Sequence, residues 1–279
     1  MSVTGGPLER GQDSARVRRP DAGLGNDSGK NERFSRIERM IGGEGLRRLE
    51  RACVVVIGLG AVGSYAVEGL ARAGIGRLRL VDFDVVRPSN INRQLYALDS
   101  TVGMAKVEVA RRRVNDINPA CQVDVLRCFV HCDTMDQVLA GSPDLVVDAI
   151  DSLGPKVELL AAVQERRIPV VSSMGAAGRT DPAAVRVGLL SAVSSCPLAS
   201  RVRKRLHARG VSTELNCVYS IEPQRSKAIR IENAATLPEK EFLERGRKRA
   251  VLGSLPTITG IFGLTAANAA LAILLGDAL

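Results

Sequence analysis

The pattern of apolar and polar positions divides the chain at about residue 33. Residues 1–32 are rich in Gly, Ser, Asp and Arg and show no apolar periodicity. Such a stretch cannot bury enough surface to offset its ordering entropy, so a disordered tail is expected. From Arg33 onward, short β-branched runs alternate with longer stretches of helical spacing, as in a parallel sheet covered by helices. The apolar run 52–57 predicts a buried strand, 61–73 a helix and 77–82 the next strand, with Gly74 and Gly76 as the stop between them. A helix is expected over about 103–118, which Pro119 helps to end, and a strand over 122–126. Strands at 145–150 and 168–173 flank a helix at 154–166. After Gly178 the elements become shorter and less regular. The expected fold class is therefore α/β: a Rossmann-like, mostly parallel sheet with helices on both faces, extended by a mixed-sheet region. One domain over 33–279 is expected, with halves 33–178 and 179–279, and there is no internal repeat.

Length and composition suit that fold, since 279 residues with 45% apolar content can form one large α/β domain. The six cysteines contain no C-x-x-C pair and no apolar leader follows Met1, which points to a reducing cytoplasm. The C-terminal stretch 255–279 has no charge before Asp277 and approaches the length of a membrane span. Gly260, Gly263, Asn268 and the threonines lower its hydrophobicity and favour a helix buried against the sheet over membrane contact. The formal charge of +9 lies wholly beyond residue 32, because acids and bases balance in the tail. That excess suits a polyanionic partner such as RNA and equally a solvated basic surface.

The strand-to-helix junction carries Gly58-Leu59-Gly60-Ala61-Val62-Gly63. Glycines there permit a tight turn and let a ligand phosphate approach the amides of the helix N-terminus. Alone, the motif fits a dinucleotide such as NAD, with Asp82 on the ribose hydroxyls. The residues that follow favour a nucleoside triphosphate. Asp84, then Asn90-Ile91-Asn92-Arg93-Gln94, then Lys106 bring two cations that a dehydrogenase does not need and that a pyrophosphate leaving group does. The segment 144–152 sends a strand to the sheet's carboxyl edge and ends in Asp151, a candidate Mg²⁺ ligand.

With these motifs in order, preceded by Arg33-Phe34-Ser35-Arg36, the chain resembles the ubiquitin-activating-like adenylating enzymes over about 33–275. The resemblance implies ATP with Mg²⁺, Asp82 on the ribose, Asn90, Arg93 and Lys106 on the phosphates, and Asp151 on the metal. It also implies a homodimer in which Arg36 reaches the partner's site, with Arg33 and Arg39 as nearby alternatives. The two C-x-x-C zinc pairs of the sulfur-carrier activators are absent, so no stable structural zinc is expected.

Within the family, the chain is similar to the branch that dehydrates the threonylcarbamoyl group of a tRNA adenosine. The similarity runs through Ile75-Gly76, Ile117-Asn118-Pro119, Asp148-Ala149-Ile150-Asp151-Ser152 with Lys156, Ile168-Pro169, Cys217-Val218-Tyr219-Ser220 and Glu222-Pro223. It implies adenylation of a carboxylate on tRNA, followed by ring closure. The alternative is adenylation of a ubiquitin-like sulfur carrier ending in Gly-Gly, and a sulfur-transfer protein is a further partner to consider.

Cys217 reads as a buried strand residue rather than a nucleophile, and the loop 233–253 holds no cysteine. His131 and His207 read as ordinary surface residues without partners at ligand spacing. The groups Arg201, Arg203, Lys204, Arg205, Arg209 and Arg245, Arg247, Lys248, Arg249 suit either tRNA phosphates or a solvated face, whereas Arg111-Arg112-Arg113 reads as solvated.

Overall fold

The computed structural model describes residues 1–2, 27–224 and 252–276. The chain divides into two units, 1–33 and 34–279, and all the strands among the described residues lie in the second. Helix α1 (Asp27–Arg51) kinks at Gly42, whose φ of 72° and ψ of 167° no helical residue adopts. Then follow β1 (Cys53–Ile57), α2 (Gly63–Ala73), β2 (Arg77–Val81), α3 (Lys106–Ile117), β3 (Gln122–Leu126), α4 (Met135–Val138), β4 (Leu145–Asp148), α5 (Leu153–Glu165) and β5 (Val170–Ser173). After these come β6 (Val185–Leu189), α6 (Pro197–His207), β7 (Asn216–Ser220) and α7 (Pro256–Leu275).

The strands form one sheet in the order β3-β2-β1-β4-β5-β7-β6. All neighbours are parallel except β6, which runs antiparallel to β7 at the edge. Alternation along β1 explains the double covering. Val54 and Val56 face one apolar cluster with residues of α2, α3 and α7, while Val55 and Ile57 face another with residues of α5 and α6. The fold is thus the expected mostly parallel α/β sheet with a mixed extension.

Several boundaries differ from expectation for local reasons. Helix α3 starts at Lys106 rather than 103 because its lead-in bonds across to 84–86: Val86 N donates to Met104 O, and Gly103 N to Val86 O. Strand β4 stops at Asp148, where the side chain accepts the Ile150 amide and turns the backbone. Strand β5 begins late because Ile168 N still closes onto Val163 O, after Arg167 with φ of 56°. Residues 3–26 of the expected tail lie outside the described residues, and α1 begins at Asp27, inside that tail.

Helix α7 is long and apolar enough to cross a membrane, yet it packs into the fold. Ile258, Phe262, Ala266 and Ala270 are buried in the cluster shared with α2. The contact with α2 needs small residues: a Cβ on Gly263 would sit 2.3 Å from Val62 O, and one on Gly69 2.9 Å from Ala267 Cβ.

Candidate active site

The carboxyl edge of β1, β2 and β4 gathers the polar residues singled out by the sequence. At the glycine turn, two glycines are required by the chain itself. Gly58 has φ of 86°, and a Cβ there would lie 2.8 Å from Ala149 O; a Cβ on Gly63 would lie 1.7 Å from Gly58 O. Gly60 is different. The nearest atom to a Cβ there is Gln94 Nε2 at 3.7 Å, an ordinary contact, so no atom of the described residues demands glycine at this position. The turn opens into the N-terminus of α2, whose Val62 cap supplies no side-chain hydrogen bond. Helix amides facing an open turn are a ready anion site, and glycine leaves room for the ligand.

Asp82 lies just past β2, nearly buried, and its carboxylate accepts from Leu59 N at 2.7 Å and Asp84 N at 2.8 Å. Burial raises its pKa, against the opposing pull of Lys106 and the two amides. Lys106, the first residue of α3, is also buried; its Nζ lies 3.1 Å from Asp84 Oδ2, and its amide donates to Asp84 O. The 87–94 turn is shaped by Asn90, whose Oδ1 accepts Arg87 N and whose carbonyl accepts the amides of Arg93 and Gln94. Leu95 N donates to Ser64 Oγ, which fixes that turn to α2. Arg93 Nη1 bonds only Ser89 O and Asn92 Oδ1, and among the described residues it has no acid partner. Its charge is available to a ligand.

Of the two acids in 148–151, only Asp151 faces solvent. Asp148 is fully buried and committed to Ile150 N, Lys156 Nζ and Ser172 Oγ. An exposed carboxylate at this edge of the sheet has the chemistry of a Mg²⁺ ligand, since that ion takes one or two carboxylates along with phosphate oxygens and keeps waters. Hydrogen bonds and an ion pair thus join the glycine turn with Asp82, Asp84 and Lys106, while Gln94 lies beside Gly60, and Arg93 and Asp151 are carried by adjoining turns. Arg36 is exposed on α1 and touches none of them.

Cys217 has no exposure and burial pushes its thiol up to about 12, so it stays protonated and behaves as a small apolar residue. Arg111 and Arg113 pair with Glu108 and Glu68, as suits a solvated face. On α6, Arg203 donates to the carbonyls of Leu190 and Val193, while Arg201, Lys204 and Arg205 remain exposed. The group 245–249 and most of the loop 233–253 lie outside the described residues.

The reading of His131 needs correction. Its Nδ1 lies 3.1 Å from Cys132 Sγ and 3.2 Å from Asp133 Oδ1, and its Nε2 lies 3.7 Å from Glu158 Oε1. Two of these neighbours are adjacent in sequence and the third is distant, so no ligand spacing announced them.

Two buried cations also escaped site assignment. Lys156 occupies the stripe Leu153, Lys156, Val157, Leu160, a helical spacing that could have marked it as a core position. Arg179 is 2% exposed and donates Nη2 to Ser195 O, and among the described residues its Nε and Nη1 have no acceptors.

Known proteins with this arrangement are close in sequence. The tRNA threonylcarbamoyladenosine dehydratase of Escherichia coli is 36% identical over 251 residues, covering 86% of this chain and 92% of that protein. The Bacillus subtilis enzyme of the same name is 43% identical over 189 residues, covering 68% and 74%. A crystal structure of the Escherichia coli dehydratase in complex with ATP matches with a TM-score of 0.78 at 33% identity, covering 91% of this chain and 97% of that one. The ThiF family matches residues 34–279, which include the whole sheet and every site residue named above, and the chain therefore belongs to the ThiF family.

Proposed function

We propose that the protein is an ATP-dependent carboxylate-adenylating enzyme that dehydrates and cyclises the threonylcarbamoyl group on a tRNA adenosine. The observation that carries this reading is the likeness to the Escherichia coli dehydratase, bound to ATP, across nine-tenths of the chain. An open glycine turn with a carboxylate and two cations nearby supports it, the carboxylate suiting a ribose and the cations suiting phosphates.

Asp82, held by two amides, accepts from the ribose hydroxyls. The N-terminus of α2 receives phosphate oxygens above Gly60, and Arg93 and Lys106 meet the charge that builds on the leaving pyrophosphate. Asp151 would hold Mg²⁺, which adds charge neutralisation on the phosphate oxygens. An oxygen of the substrate carboxylate attacks the α-phosphorus, the bond to the bridging oxygen breaks, and pyrophosphate leaves with that electron pair. The neighbouring carbamoyl group then attacks the acyl carbon of the adenylate and loses a proton to solvent, while AMP leaves with the former carboxylate oxygen, so that the closed ring is lighter than the starting group by the elements of water. Because the nucleophile is tethered, its effective molarity is high and no enzyme nucleophile is needed. The protonated, buried Cys217 suits such a mechanism.

The exposed Arg201, Lys204 and Arg205 of α6 are placed to bind tRNA phosphates. In a homodimer, Arg36 would serve the partner's site, and the cytoplasm is where such a tRNA would be met. Incubation with ATP and threonylcarbamoyl-modified tRNA should yield an adenosine product lighter by one water in mass spectrometry. Unchanged nucleoside from enzyme that binds ATP would reject this substrate, and exchange of pyrophosphate only with a small Gly-Gly-ended protein would indicate sulfur-carrier activation.

A further inference from the structure

Beneath the candidate site lies an ion pair that the adenylation chemistry does not use. The side chains of Lys156 and Asp148 both have zero exposure. All three ammonium hydrogens find acceptors: Asp148 Oδ2 at 2.5 Å, Ser172 Oγ at 3.1 Å and Ser173 O at 3.0 Å. The carboxylate is equally occupied, since Oδ2 also accepts from Ser172 Oγ at 2.6 Å and Oδ1 from Ile150 N at 3.0 Å. Desolvation offsets most of the attraction in such a pair, so stability alone does not explain it. An apolar side chain in the same helical stripe would fill the space. Only a head group with three donors at one point can tie α5 to the ends of both β4 and β5.

What the pair fixes is the path of 149–152. This segment is the floor of the glycine turn: Ala149 N donates to Ile57 O at 2.8 Å, and Ala149 O is the atom a Cβ on Gly58 would strike. It ends at Asp151, the candidate metal ligand. We propose that Lys156 is a positioning residue that, through Asp148, fixes the 149–152 loop and so places Asp151 against the phosphates at the glycine turn. The inference rests on the functional reading above for the identity of the bound species.

The test removes both charges together, so that neither is left buried and unpaired. The double variant Asp148→Asn with Lys156→Met should remain folded and bind ATP without metal as the wild type does. Its kcat for pyrophosphate exchange should fall about thirtyfold, in keeping with a misplacement of about 1 Å. Mn²⁺ bound with ATP, followed by electron paramagnetic resonance, should be held about tenfold more weakly, a loss of one well-placed contact.

A folded double variant with wild-type Mn²⁺ affinity and kcat would overturn the proposal. So would equal losses of metal-free ATP binding and Mn²⁺ binding, because those denote general loosening. If the double variant does not fold, Ser172→Ala, which deletes one hydroxyl from the network, should lower Mn²⁺ affinity by a few-fold; unchanged affinity there would refute the role. The Mn²⁺ measurement needs no tRNA. A wild type that binds ATP and Mn²⁺ yet adenylates no tRNA carboxylate would sink the functional reading and leave the positioning question answered.

Discussion

Two places in this molecule use glycine for close approach, the seam between α2 and α7 and the turn between β1 and α2, and they do so for opposite reasons. In the seam, the missing side chain is replaced by protein: Gly263 lies under Val62 O and Tyr65, and Gly69 against Ala267. In the turn, Gly58 and Gly63 obey the same rule, but Gly60 faces only the tip of Gln94. A glycine crowded by its own chain serves packing, whereas the space at Gly60, at the mouth of a helix N-terminus, is room that the proposed nucleotide would fill.

Substitutions that add carbon to these glycines should separate the two cases. The largest effect is expected at Gly63→Ala and Gly263→Val, where the new atoms would overlap backbone; neither variant should show a cooperative thermal transition. Gly60→Ala should keep the wild-type melting curve while ATP dissociation measured by calorimetry rises about tenfold, the cost of about 1–2 kcal/mol of overpacking against the ligand. If Gly60→Ala unfolds the protein or leaves ATP binding intact, the distinction drawn here fails.

Charge tests sharpen the same contrast on the ligand side. Arg93→Ala and Lys106→Ala should each keep the fold and cut adenylation by about a hundredfold or more, as expected for lost charge partners of the transition state. Wild-type pyrophosphate exchange in either would remove that residue from the site.

The smallest expected effect is in pH. Burial raises the Asp82 carboxyl above its ordinary value, and a ribose hydroxyl donates best to the ionised form. ATP affinity should therefore be complete above the raised pKa and decline as pH falls through it, earlier in an acid titration than for an exposed aspartate. In Asp82→Asn that dependence should be flat and the affinity low throughout; a pH profile identical to wild type would show that Asp82 does not govern it.

The first half of the fold was legible because β1 and β4 are buried on both faces and read as nearly continuous apolar runs, and because glycines punctuate the ends of α2. The nucleotide motif was legible for the same reason: a turn that needs glycine at Gly58 and Gly63 cannot conceal it. Less could be read where distant residues decide. The start of α3 depends on bonds to 84–86, and the antiparallel pairing of β6 depends on a strand that comes later in the chain. A buried cation is harder still. Lys156 and Arg179 carry charges that read as surface, and only the fold shows that one finds three acceptors while the other, among the described residues, has two donors unmatched. Asp148 drew attention as half of an acidic motif, yet its carboxylate is spent internally, leaving Asp151 as the outward member.

The pairing of Lys106 with Asp84 bears on selectivity. An ammonium already neutralised by a neighbour is a poor trap for small anions, because chloride or inorganic phosphate must compete with a tethered carboxylate. A long polyanion would spread that competition over the amides of α2 and Arg93, which has no acid partner among the described residues. On the proposed reading, the resting crevice would be indifferent to the abundant ions around it and responsive to a chain of linked phosphates.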